Sequence, residues 1–355
     1  TKDVLLVSPA ITQTWGTLAP ASITSGQNDY NPTGLKYANI LTLTNDNVRY
    51  ITGLAGGFPG RNITLHVLET AQGPVILRDE STSSTAANRF SLPARRVFIW
   101  PGDSVDLFYD VNTSRWDTKG APVSAVSRDD FIDDADDFLG GVSGTGTATE
   151  AGEHIGKLNW RSTANGTAAS TSPAGVAGHP GIVRLVTGAT SGNDTRLHLG
   201  NTATDDIFPF NKIAYFAAIV RPVDTTSNRI KVGAGIDLGD GTVGAWGADG
   251  IFFEFDTATS ANWRVITRAA STNTLTTSGI ALANNDWDQL EFFRLTNGNI
   301  SFWINETLIA TSTANIPTTV MANVGFFVET QTAALRSLEI DWCRIRTTRL
   351  GQRFT

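Results

Sequence analysis

Residues 290–304 read Leu290-Glu291-Phe292-Phe293-Arg294-Leu295-Thr296-Asn297-Gly298-Asn299-Ile300-Ser301-Phe302-Trp303-Ile304. Two short apolar-rich runs flank an Asn-Gly pair, whose tolerance of positive φ suits a tight turn between antiparallel strands. In the second run Ile300, Phe302 and Ile304 fall on one face and Ser301 and Trp303 on the other, which predicts a strand with one face in water. Outward from this hairpin the same period of two recurs. Ile63, Leu65 and Val67 share a face, as do Val105, Leu107 and Tyr109, while Ala214 to Val220 is apolar at every position, as in a strand covered on both sides. Helical spacing is almost absent, so the chain reads as all-β.

The chain has 355 residues, 41% of them hydrophobic, with a formal net charge of −7. That length predicts two domains, each large enough to bury a core. The charge is concentrated. Between Asp129 and Phe138 six aspartates occupy ten residues, and Gly140 to Gly152 is almost wholly small and polar. Such a stretch repels itself and buries little, which predicts a linker over 119–156 between a β-module at 1–118 and a second domain at 157–355. Neither half has the basic surplus of a nucleic-acid binder. The lone Cys343 excludes an internal disulfide. No apolar run long enough to span a membrane is present, and the stretch from Thr1-Lys2-Asp3 does not read as a leader.

In the first half, Gly60-Arg61-Asn62-Ile63-Thr64-Leu65, Ser83 to Phe90, Leu92-Pro93, Pro101-Gly102-Asp103-Ser104-Val105, Tyr109-Asp110 and Ser114-Arg115-Trp116 follow one another in an order that resembles a small β-module of tailed-bacteriophage tail-fibre, head-fibre and decoration proteins. The resemblance implies a structural role on the virion surface and a homotrimer in contact with phage capsid or tail proteins. Ala86, Ala87, Asn88, Arg89 and Phe90 are then candidates for the subunit interface. Read from composition alone, the same segment is equally a loop of one chain with Phe90 in its own core. In the second half, His179-Pro180-Gly181, Trp287-Asp288-Gln289-Leu290, Ile300 to Asn305, Ile316-Pro317 and Ile340-Asp341-Trp342 resemble a concanavalin A-like jelly-roll β-sandwich. That family usually writes Asn-Gly where this chain has Asn305-Glu306, which leaves the turn type open.

Catalytic chemistry finds little support. Glu254 and Asp256 lie two apart on a strand and so project from one face, as an acid and a nucleophile do. The glucanases of this fold carry a further carboxylate in Glu-x-Asp-x-x-Glu, and that position is Thr259. The pair is therefore expected to be the wet face of a strand whose Ile251, Phe253 and Phe255 point inward. His66, His154, His179 and His198 have no zinc-ligand spacing, with His179 expected to set a turn. Ser143 lacks the last glycine of a nucleophile elbow, and no nucleotide-binding fingerprint follows Gly233 or Gly239. No catalytic residue, metal ligand or cofactor is expected, a structural Ca²⁺ at the aspartates being the sharper alternative to a plain linker. Binding is left open: Trp246, Trp263, Trp287 and Trp303 lie in or beside loops and strands, and of these Trp246, Trp263 and Trp303 are candidates for stacking on host-surface carbohydrate, with subunit packing and plain core as the other readings of Trp303.

Overall fold

The computed structural model describes residues 16–120, 132–138, 155–158, 160–165, 169–171, 175–199, 207–235 and 247–348. The chain divides into two compact units, Thr1–Val126 and Ser127–Thr355.

In the first unit a six-stranded sheet runs in the order Gly16–Leu18, Ala38–Leu43, Asn62–Val67, Ser104–Asp110, Arg115–Thr118, Phe90–Ser91, and a three-stranded sheet combines Arg49–Ile51, Val75–Arg78 and Arg96–Ile99. The expected alternation holds, with Ile63, Leu65, Val67, Val105, Leu107 and Tyr109 all in one core with Phe90 and Trp116. The Trp116 indole donates to the Leu54 carbonyl at 2.6 Å. Arg61 is also inside, 2% exposed, with its guanidinium donating to the carbonyls of Leu35 and Gly56. Burial lowers its pKa. Gly57 allows the Tyr109 ring to close on the backbone, since a Cβ there would lie 2.0 Å from it.

The second unit is a jelly-roll sandwich. One sheet runs Arg161–Asn165, Asp194–His198, Val324–Thr330, Asn228–Ala234, Gly250–Asp256, Ser260–Ala269, Thr272–Ala281. The other runs Ala169–Thr171, Val183–Val186, Ser337–Thr347, Ile213–Pro222, Asp288–Arg294, Ile300–Ile304, Thr307–Ser312. The chain crosses repeatedly between the two, by single strands and by runs of hairpin-linked strands, and every pair within them is antiparallel. Apolar residues of alternate positions meet in a single core that includes Phe216, Phe253, Phe292, Phe302 and Phe326.

Two expectations change and one open point is settled. The region expected as linker is not linker throughout, because Asp133–Asp136 pairs with Ser337–Thr347 as an eighth strand of the larger sheet. Asp133 there takes Arg344 at 2.8 Å and Arg346 at 2.9 Å, so cations from the neighbouring strand offset the repulsion. The run Gly140 to Gly152, with Ser143, lies outside the described residues. Ile300–Ile304 has no wet face. Ser301 is 0% and Trp303 5% exposed, the indole donating to Ser301 Oγ at 2.9 Å, because this strand lies between Asp288–Arg294 and Thr307–Ser312 and its outward side chains are flanked on both sides. The turn left open at Asn305-Glu306 is a two-residue turn with positive φ at both positions, 49° and 63°.

Candidate functional site

Arg229 and Lys231 alternate with the core residues Ile230 and Val232, and therefore stand on the outer face of the seven-stranded sheet. Register brings Asp256 and Glu329 opposite Arg229, Glu254 opposite Lys231, Asp194 opposite Glu329 and Arg264 opposite Glu254. Four cations, Arg196, Arg229, Lys231 and Arg264, thus interleave with four carboxylates across five strands. Arg229 Nε lies 3.1 Å from Asp256 and its Nη1 3.0 Å from Glu329. Arg264 Nη2 lies 3.1 Å from Glu254, and Arg196 grips Asp194 through two nitrogens at 2.7 and 3.1 Å.

Glu254 and Asp256 are 0% and 3% exposed, so the expected wet face is a dry one. Alternation placed both residues on the correct side of the strand. It carried no sign of the cations that two other strands bring over them. Burial raises Glu254 to about 7 against the pull of Arg264 and Lys231, and burial lowers Lys231 to about 8. For Asp256 burial works upward, but the hydrogen bond from Gln331 at 2.7 Å and the Arg229 charge outweigh it and hold its pKa below the usual range. Neither oxygen of Glu254 accepts a hydrogen bond. The pair that a glycan-cleaving sandwich would need open is closed over by cationic side chains.

Of the proposed stacking residues, Trp263 is 0% exposed and donates to Asp288 at 2.8 Å, and Trp303 is covered as described, so neither presents a ring face to a sugar. Trp246 lies outside the described residues. Among the described residues the half-buried indoles of this unit are Trp287 and Trp342; sequence reasoning raised Trp287 with the other tryptophans beside loops and strands without carrying it into the glycan-contact candidates, and did not raise Trp342 as a ligand contact. Trp287 sits on the outer face of the larger sheet, with His179 stacked on it at 4.1 Å and Arg221 4.6 Å from its centroid. His179 comes from the turn Val176–His179 and its Nδ1 lies 2.8 Å from Asp341, whose pKa burial raises despite the pull of His179. Arg221 and Arg184 share the buried Glu339, with Nε distances of 2.6 and 2.8 Å. The signal that could have found Trp287 is its position just ahead of a strand that pairs with the Arg221 strand, which is visible only once the pairing is known.

In the first unit, Ala86–Asn88 is a short 3-10 turn with Ala86 and Ala87 exposed. Asn88 donates to Asp29 at 2.9 Å, Thr85 caps the same carboxylate through its backbone and hydroxyl, and Arg89 Nε donates to the Ser84 carbonyl at 3.0 Å. Phe90 is 0% exposed in its own core. Within one chain, then, Asn88, Arg89 and Phe90 are engaged locally, and only Ala86 and Ala87 face outward. Among the described residues no group of three or more His, Cys, Asp or Glu side chains is arranged to hold a metal ion.

Residues 178–341 match the family model "SO2946-like, C-terminal domain", so the matched segment lies within the second unit. A search of curated protein sequences gave no match. Among solved structures the chain is similar to a protein of unknown function, SO2946, from Shewanella oneidensis MR-1, at 18% identity and a TM-score of 0.46, covering 63% of this chain and 90% of that one. It is also similar to the carbohydrate recognition domain of Emp47p, at 9% identity and a TM-score of 0.41 over 59% and 98% of the two chains. A Bacillus licheniformis β-glucanase gives 13% identity and a TM-score of 0.37 over 61% and 98%. The sheet pairing itself establishes the sandwich.

Proposed function

We propose that this chain is a non-catalytic attachment and display protein on the outer surface of a tailed-bacteriophage particle, of the capsid-decoration or head-fibre kind. In this reading the first unit grips the particle, with three copies side by side, and the sandwich is what it presents outward. The order of short motifs between Gly60 and Trp116 supports the first part. The observation that carries the non-catalytic part is the closed array around Glu254 and Asp256. A general acid or nucleophile must reach its substrate, and among the described residues these carboxylates are buried against Arg229, Arg264, Gln331 and the Ala258 backbone N–H.

The test is to incubate the chain with β-glucans and bacterial surface polysaccharides and to separate the products by chromatography. No oligosaccharide release is expected. Release that disappears in Glu254→Gln would overturn the reading. A second reading, a tail-borne protein that recognises host-surface glycan, is favoured by one observation: Trp287 and Trp342 put half-buried indoles on the outer face of the larger sheet. It predicts retention on a glycan array that Trp287→Ala weakens at least tenfold, and equal retention of both proteins would remove it.

A further inference from the structure

The first unit holds a groove of about 460 Å³, within the range of ligand pockets, and residues 18–33 bend round to line it. Three backbone bonds hold this stretch in place: the N–H groups of Ile23, Gln27 and Tyr30 donate to the carbonyls of Thr44, Tyr50 and Gly53 at 2.9, 2.8 and 2.8 Å. Pro20 and Pro32 fix φ at two further points on the wall, so the groove exists before anything enters it. Beside it runs Gly16–Leu18, the last strand of the six-stranded sheet, which pairs with Ala38–Leu43 on one side and with no other described strand.

The lining carries no charge. Between Asp3 and Lys36 the sequence has one charged residue, Asp29, and its carboxylate accepts from Thr85 and Asn88 and lies outside the lining. Polar groups without partners are present instead. Tyr30 is only 7% exposed, yet its hydroxyl makes no hydrogen bond among the described residues. Burial pushes its pKa up to about 12, so the hydroxyl stays protonated as a donor, and a buried phenol of this kind ordinarily has a partner. Gln27 donates through Nε2 to the Ser25 carbonyl at 3.1 Å, which leaves its Oε1 an acceptor with no donor among the described residues. The backbone N–H groups of Ala21 and Ser22 have no acceptor there either.

This chemistry selects its ligand by exclusion. An anion would find no cation in the groove, a metal ion or basic ligand no carboxylate, and a sugar no open aromatic face, since the Tyr30 ring is buried. A peptide main chain fits: it is neutral, it alternates N–H and C=O groups, and apolar side chains on it match Leu18, Pro20 and Pro32. We propose that the groove takes an extended, uncharged peptide segment of another virion protein, its carbonyls accepting from Tyr30 and Ser22 and its N–H groups donating to Gln27, with the open edge of Gly16–Leu18 continuing the contact. The virion source rests on the attachment reading; the peptide chemistry does not.

The experiment is fluorescence anisotropy of the full chain with short labelled peptides in neutral, acidic and basic sets, the neutral set including segments tiled across phage capsid and tail proteins with scrambled versions of each. The natural protein is expected to bind neutral peptides and neither charged set. Tyr30→Phe, which keeps the ring, is expected to weaken this binding about fivefold. Ser22→Glu is expected to lose the neutral peptides and gain lysine-containing ones, a gain that misfolding does not produce. Binding of no peptide, binding of all three sets alike, or binding unchanged in both variants overturns the proposal. Neutral binding in which no capsid or tail sequence exceeds its scrambled version upholds the peptide chemistry and overturns the virion source, which separates a failure of the attachment reading from a failure of the groove.

Discussion

At the scale of single residues, Glu254 is a group whose burial works against its charge. Folded, it holds its proton up to about 7; unfolded, it releases it near the ordinary value of 4.5. Folding therefore takes up a proton between those values, and the stability this linkage contributes is fully present below pH 4.5 and lost as pH rises through 7. Lys231 runs the other way, its contribution lost as pH falls through about 8. Glu254→Gln removes the first of these linkages. Urea unfolding is expected to show the variant gaining on the natural protein between pH 4.5 and 8, by up to about 3 kcal/mol. A difference that stays flat with pH would mean the carboxylate is not desolvated as described. Gly57 makes a second prediction. A methyl group there meets the Tyr109 ring, which packs edge-on to Trp116 at 5.4 Å, so Gly57→Ala is expected to cost about 2 kcal/mol and lower Tm by several degrees. An unchanged Tm would show that the loop yields freely.

At the scale of elements, alternation was a sound guide to which way a side chain points and a poor guide to what lies over it. It separated Ile251, Phe253 and Phe255 from Glu254 and Asp256, and Phe302 from Ser301 and Trp303, yet in both strands the side expected to be wet is dry. The cover comes from residues distant in sequence, Arg229 and Arg264 in one case and the flanking strands in the other, and no local pattern encodes it. The same limit applies to Asp133–Asp136, whose repulsion is visible in the sequence while its arginine partners more than two hundred residues away are not. Turns were more legible, because their chemistry is local. Gly298 takes φ 87° at the Asn-Gly hairpin, and its N–H donates to the Leu295 carbonyl at 2.8 Å. The next hairpin places Glu306 at φ 63°, a region in which a side chain is strained. Glu306→Gly is therefore expected to stabilise the protein by about 1 kcal/mol in thermal unfolding. A lower Tm would show that contacts of the Glu306 side chain outweigh the backbone strain.

At the scale of the whole molecule, the chain divides into two units, each with a core of its own. In the reading proposed above the first unit attaches to the particle and the second, with a buried charge array on one sheet and half-buried indoles on the other, is presented. The most direct measurement is the copy number of this chain in purified phage particles, by quantitative mass spectrometry against the major capsid protein. The account predicts a count in the tens or hundreds, retained after washing at high salt. Absence from the particle would contradict it.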